Sequence, residues 1–221
     1  MLPLVTDCER AAQFLLDSVG CDDYPVCPFD LADAWGFDLV YSHGRSWTAG
    51  NIIFVERAAP HRMRWDICHE MGHCIADHLG MDARDEMVAN LIAAATLLPR
   101  KHLTREIERT NWSFPDLTRL FQVSWEVLAR RIIHLESAVI TIVDNGDVRW
   151  RGKTPWADLP TWTDTLQEWE RILLERAARD SKHLAAGNLV TAYSLPSQAW
   201  HRVFLVAEAQ AWAWRTASLS A

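Results

Sequence analysis

The sequence predicts an α+β fold for this chain of 221 residues. Two segments, Phe37–Tyr41 and Asn51–Val55, are apolar and partly β-branched, as the strands of a small sheet are. Two longer stretches read as helices: Pro60 to about His78, opened by its proline, and Glu86 to Leu98, stopped by Pro99. Further on, Asn145-Gly146 sits between Ala138–Val143 and Val148–Arg151 and marks a β-hairpin.

Taken in order, the first helix is expected over Thr6–Val19, with Thr6 and Glu9 as a capping box and Gly20 as its stop. A loop through Cys21–Pro28 leads to a short helix, Asp30–Trp35, ended by Gly36. Ser42–Gly50, between the two strands, is glycine- and serine-bearing and is expected to be a loop. Asp82 is expected to cap the helix that carries Glu86 to Leu98. Shorter helices follow at Lys101–Glu108, Pro115–Phe121 and Trp125–His134, the last capped by Ser124.

The character then changes. Ala138–Val143 and Val148–Arg151 form the hairpin, a helix is expected around Thr163–His183, a strand at Leu189–Tyr193 and an apolar helix around Ser197–Trp214. The chain therefore divides into residues 1–136, including a helix-turn-helix-like segment at 115–135, and a C-terminal α/β extension, 137–221, of no assigned role.

Composition narrows the function. Apolar residues make up 49% and charged residues 23%, so a core can be buried. The net charge of −7 argues against phosphate neutralisation by the surface as a whole, and direct nucleic-acid binding is not expected. No apolar run reaches the roughly 20 residues of a membrane span. The start, Met1–Asp7, lacks a basic segment and a cleavage pattern, which predicts no signal peptide. Five cysteines without a C-x-x-C pair point to a reducing, cytoplasmic setting. The twelve tryptophans are read as core and interface packing.

The chemistry is concentrated in His69-Glu70-Met71-Gly72-His73. Residues four apart on a helix are separated by about 400°, so His69 and His73 present two imidazoles from successive turns of one face. Glu70 projects about 100° away from His69, which places it beside a metal rather than on it. There it can take a proton from an activated water and return it to a leaving amine. Gly72 costs about 1 kcal/mol inside a helix, so its presence implies that another backbone passes close to this turn. A catalytic zinc needs a third protein ligand and an open position. Asp77, Asp82, Asp85, Glu86 and His78 are the candidates. Glu86 is favoured because the small and apolar run Met87–Ala95 behind it calls for close packing against the histidine helix.

Arg64–His73, then Glu86-Met87-Val88-Ala89-Asn90, then Ala94–Pro99 together resemble the ImmA/IrrE family of metallopeptidases. Val123-Ser124 and Arg131-Ile132 resemble the family's later segment, and Phe29–Gly36 its short helix before the sheet. The resemblance spans about Pro28–Leu135, roughly half the chain. It implies a thermolysin-like, gluzincin-type minimal fold with a small sheet over the active-site helices. It also implies zinc held by His69, His73 and Glu86, with Glu70 as the base, and the same donors tolerate manganese or iron. Members cleave helix-turn-helix repressors, so the expected partner is a DNA-binding repressor and the expected activity a specific intracellular endopeptidase. That activity would release transcription of stress-response or mobile-element genes. Trp65 stands where the family has Phe, Asp66 where it has a hydroxyl residue, Cys68 where alanine is common and Ile92 where Phe is usual. None of these removes a ligand.

Competing readings are a non-catalytic metal-containing regulator that binds a repressor or DNA, and a protease of broad specificity. His78, Tyr41 and His102 are candidates to stabilise an oxyanion. Cys27 as a thiol closing the metal site, and Cys68 as a redox sensor, are outweighed by ordinary packing roles. Arg130 and Arg131 give the 115–135 segment a DNA-binding flavour, but a helical pair packed on the peptidase is preferred.

Overall fold

In the computed structural model, residues 3–157, 165–180, 184–185, 190–196 and 201–218 are described. The chain divides into two units, Met1–Arg131 and Ile132–Ala221. Both mix helices with a small sheet, an α+β organisation.

The first unit opens with α1, Pro3–Ser18. Its residues Val5, Cys8, Ala11, Ala12, Leu15 and Leu16 recur at helical spacing and are buried. The helix begins three residues before Thr6, so Thr6 lies inside it and the expected capping box is not its start. Then come α2, Pro28–Ala34, and three strands: β1, Asp38–Ser42; β2, Trp47–Ala49; and β3, Ile52–Glu56. The expected loop between the two foreseen strands thus contains a third. β2 is short, and the glycines at 44 and 50 mask it. The order is β1-β3-β2, with β1 parallel and β2 antiparallel to β3. β2 is therefore an edge strand, and Leu39, Ile53 and Thr48 lie opposite one another across the sheet.

Next, α3 spans Pro60–His78 and α4 spans Glu86–Leu97. Asp85, not Asp82, caps α4, accepting a hydrogen bond from the Met87 N–H at 2.7 Å. Asp82 instead accepts from the Arg84 N–H within the connecting turn. Ile67, Met71 and Ile75 of α3 join Val88, Ile92 and Ala95 of α4 in one core with the buried face of α1, Ile53 and Val55. The unit continues with α5, Arg100–Thr110; α6, Phe114–Phe121; and α7, Trp125–Ile132, whose last residue passes into the second unit. α6 ends at Gln122, which is left-handed, and Ser124 Oγ accepts the Val127 N–H at the start of α7. Arg131 is buried; its guanidinium binds both carboxylate oxygens of Glu9, and its Nε donates to the Leu98 carbonyl. That arginine is occupied inside the unit, which removes it from the DNA-binding reading of this segment.

The second unit contains β4, Ala138–Asp144; β5, Asp147–Lys153; α8, Glu168–Asp180; β6, Leu184–Ala185; β7, Val190–Pro196; β8, His201–Glu208; and α9, Ala209–Ser218. The expected hairpin forms, with positive φ at both Asn145 and Gly146 as its tight turn requires. The strand order is β5-β4-β8-β7-β6, antiparallel throughout. One expectation is overturned here: much of the segment read as a helix, Ser197–Trp214, is strand β8, and only from Ala209 is it helical. Residues 197–200 lie outside the described residues, as do 163–164, 181–183 and 189 of the neighbouring expectations. β8 lies between β4 and β7, and Val203–Ala207 are all buried. A central strand covered on both faces reads as a continuous apolar run, which periodicity does not separate from a buried helix.

Candidate metal centre

The site begins with the packing of α3 on α4. A Cβ on Gly72 would lie 2.8 Å from the Ala89 carbonyl oxygen and 3.2 Å from its Cα. Only glycine permits this approach, which meets the expectation of a second backbone at that turn. The two helices are thereby brought together beside the histidine pair, with Glu86 as the first residue of α4.

His69 Nε2 and His73 Nε2 lie 3.2 Å apart, their rings nearly perpendicular. The Glu86 carboxylate is 3.2 Å from His69 Nε2 and 3.7 Å from His73 Nε2. In a tetrahedral zinc site with bonds of about 2.0–2.1 Å, donor atoms are separated by about 3.3 Å. Two imidazole nitrogens and a carboxylate oxygen within 4.8 Å of one another match that spacing and that donor chemistry. His73 Nδ1 is 2.7 Å from the Ala83 carbonyl, a hydrogen bond in which the ring N–H donates. Such a bond fixes the tautomer and leaves Nε2 with its lone pair free for a metal. Glu86 is 74% exposed on its side chain, so the ligand cluster opens to solvent on that side. Trp65 stacks on the His69 ring at 6.4 Å.

Glu70 is only 8% exposed, and its Oε2 accepts a hydrogen bond from Thr48 Oγ1 at 2.8 Å. Thr48 sits in the edge strand, so the candidate base is held from the sheet. One turn earlier, Asp66 is buried between Ser46 Oγ at 3.0 Å and Arg62 at 2.9 Å. This carboxylate is satisfied by a hydroxyl from the residue just before β2 and an arginine from its own helix. Neither Thr48 nor Ala83 is marked in the sequence. The strand propensity of Trp47-Thr48 is the only signal for the former, and a backbone carbonyl leaves none.

The other candidates are placed elsewhere. Among the described residues, His69, His73 and Glu86 form the only group of three or more side chains able to hold a metal ion, so Asp77, Asp82, Asp85, His78 and Cys27 are outside it. His78 stacks on Phe14 at 5.8 Å and meets Trp35 edge-on. His102 packs on Tyr24 with Nε2 3.6 Å from Asp22. Tyr41 is on β1, at the opposite side of the sheet from β2, under the Arg57 guanidinium. Cys68 is buried, and burial pushes its thiol up to about 12, so it stays protonated as a small core side chain would.

The family model described as the IrrE N-terminal-like domain, a peptidase family, matches residues 26–132. Among solved structures, a chain described as a Mycobacterium tuberculosis transcriptional regulator matches with a TM-score of 0.65 at 15% identity. The match covers 92% of this chain and 76% of that one. At that identity the likeness is one of fold. A search of curated proteins returns no match.

Proposed function

Because residues 26–132 belong to the ImmA/IrrE family, we propose that this chain is a zinc-dependent endopeptidase that cleaves a specific regulatory protein. The observation that carries the reading is the convergence of His69 Nε2, His73 Nε2 and the Glu86 carboxylate beside the buried Glu70. His69, His73 and Glu86 would hold the ion, and manganese or iron would suit the same donors. Bound there, the metal supplies Lewis acidity, polarising a carbonyl and making water nucleophilic near neutral pH.

Glu70 takes one proton from the attacking water as its oxygen bonds to the peptide carbonyl carbon. It then delivers that proton to the amide nitrogen as the C–N bond breaks, which leaves a carboxyl and an amine. His73 is held in its metal-binding tautomer by Ala83, and the small sheet meets α3 through Thr48 and Glu70, which supports a thermolysin-like reading of the fold. β2 leaves one edge without a strand partner among the described residues, and its Thr48 touches Glu70. An extended substrate segment adding to that edge would run past the base.

The substrate class follows from the family alone: a helix-turn-helix repressor in the cytoplasm. No helix among the described residues is long and apolar enough to cross a membrane. The test is incubation of the metal-loaded protein with the DNA-binding repressor encoded beside its gene, with and without chelator. One chelator-sensitive cut is expected. Glu70→Gln should hold about one metal ion per chain and cut nothing; full cleavage by that variant would overturn the mechanism.

A further inference from the structure

We propose that Thr48 is the positioning residue of the base Glu70, and that Ser46 and Thr48 act differently on the helix beneath them. Ser46 anchors the edge strand, and Thr48 aims the carboxylate. The inference rests on the peptidase reading for its catalytic half. Its structural half stands on the geometry of the sheet and α3.

Residues two apart on a strand point to the same face and are separated by about 6.8 Å. Residues four apart on a helix share a face at about 6 Å. Ser46 and Thr48 are two apart; Asp66 and Glu70 are four apart. The two repeats match to within about 1 Å, so the hydroxyls of Ser46, just before β2, and Thr48, within it, meet two carboxylates of the helix at 3.0 Å and 2.8 Å. A one-residue slip of β2 would turn the Thr48 hydroxyl to the opposite face.

The two contacts differ in what surrounds them. Ser46 Oγ also accepts the Glu56 backbone N–H at 2.9 Å, which ties the start of β2 to the end of β3. Its carboxylate partner, Asp66, is already held by Arg62. That contact is an anchor, duplicated on both sides. Thr48 Oγ1 donates to Glu70 Oε2 from within β2 itself. Threonine is stiff at χ1, so its hydroxyl is aimed by the strand itself. With Oε2 committed, Oε1 is the oxygen left to take the proton, and the carboxylate is held in one orientation. A base turned by about 1 Å loses on the order of 100-fold in rate.

Three variants test this. Thr48→Val keeps shape and strand preference without the hydroxyl, Thr48→Ser restores the donor, and Ser46→Ala removes the anchor without touching Glu70. Crystals of each give a readout independent of turnover. Glu70 is expected in its original orientation in Thr48→Ser and Ser46→Ala, and turned or in several rotamers in Thr48→Val. An unmoved Glu70 in Thr48→Val would overturn the proposal.

With zinc-loaded protein and an internally quenched peptide library, Thr48→Val is expected to lose 10- to 100-fold in kcat, with KM and zinc content unchanged. Thr48→Ser should recover to within about threefold. An equal kcat loss in Ser46→Ala would mean that both hydroxyls merely hold the strand, and would also overturn it. If the wild type cuts neither the library nor the repressor encoded beside its gene while Glu70 is displaced in Thr48→Val, the positioning role stands and the peptidase reading fails.

Discussion

Replacing Gly72 by alanine probes the contact on which the candidate metal centre is built. The new Cβ would sit 2.8 Å from the Ala89 carbonyl oxygen, whereas ordinary contact begins at 3.4 Å. The atom it meets is backbone, so no side chain can swing aside, and α3 and α4 must part by about 0.6 Å. Two terms act on stability. Alanine gains about 1 kcal/mol over glycine inside a helix, and overpacking a tight interface costs about 1–3 kcal/mol. The expected result in urea denaturation is a net loss of about 1 kcal/mol.

The metal is the sharper readout, because His69 and His73 are on one helix and Glu86 is on the other. Ligand distances tolerate about 0.2 Å, so a 0.6 Å separation should weaken zinc affinity at least about tenfold in a chelator competition. A Gly72→Ala protein that gained the full helix-propensity benefit and bound zinc as tightly as the wild type would refute the reasoning. The helices would then not be fixed by this approach.

Other outcomes follow from the same structure. Asp85→Ala removes the cap of α4 and should cost about 1 kcal/mol in urea denaturation. Since the capped turn leads directly into Glu86, zinc affinity should fall as well; an unchanged midpoint would count against the cap. In the second unit, Arg202 binds both oxygens of Asp144 at 2.6 and 2.7 Å and, with Arg149, holds that carboxyl below the usual carboxylate range. A lowered folded-state value means stability that is present above the ordinary range and lost as pH falls through the depressed one. Asp144→Asn should therefore be less stable than the wild type at neutral pH, and the gap should close as pH falls through the lowered carboxyl range. A gap independent of pH in denaturant titrations would contradict the ion pair's contribution.

What could be read from the chain was whatever depends on spacing within one element. His69, Glu70 and His73 are related by helical geometry alone, and the run after Glu86 announces a helix that must pack closely. Gly72 was interpretable for the same reason, since glycine inside a helix needs a neighbour to explain it. The hydrogen bond from Thr48 to Glu70 was not legible, because it depends on the register of a three-residue strand against a helix 22 positions away. The Ala83 carbonyl has no residue-type signature at all. Strand β8 was misread because burial on both faces erases alternation, the cue by which strands are distinguished. Asp82 and Asp85 both suit a helix start, and only the fold of the turn decides that one caps the helix and the other the turn.

The buried guanidinium of Arg131 bears on where the folding unit ends. It clasps Glu9 of α1 and the carbonyl of Leu98, joining a helix that precedes residues 26–132 to the close of that very segment. α1 also lines the core beneath α3 and α4 with Ala11, Leu15 and Leu16. Excising 26–132 alone would take Glu9 from the Arg131 guanidinium and expose the apolar underside of α3 and α4. The stretch that heredity marks as a family is thus smaller than the stretch that physics requires to stand.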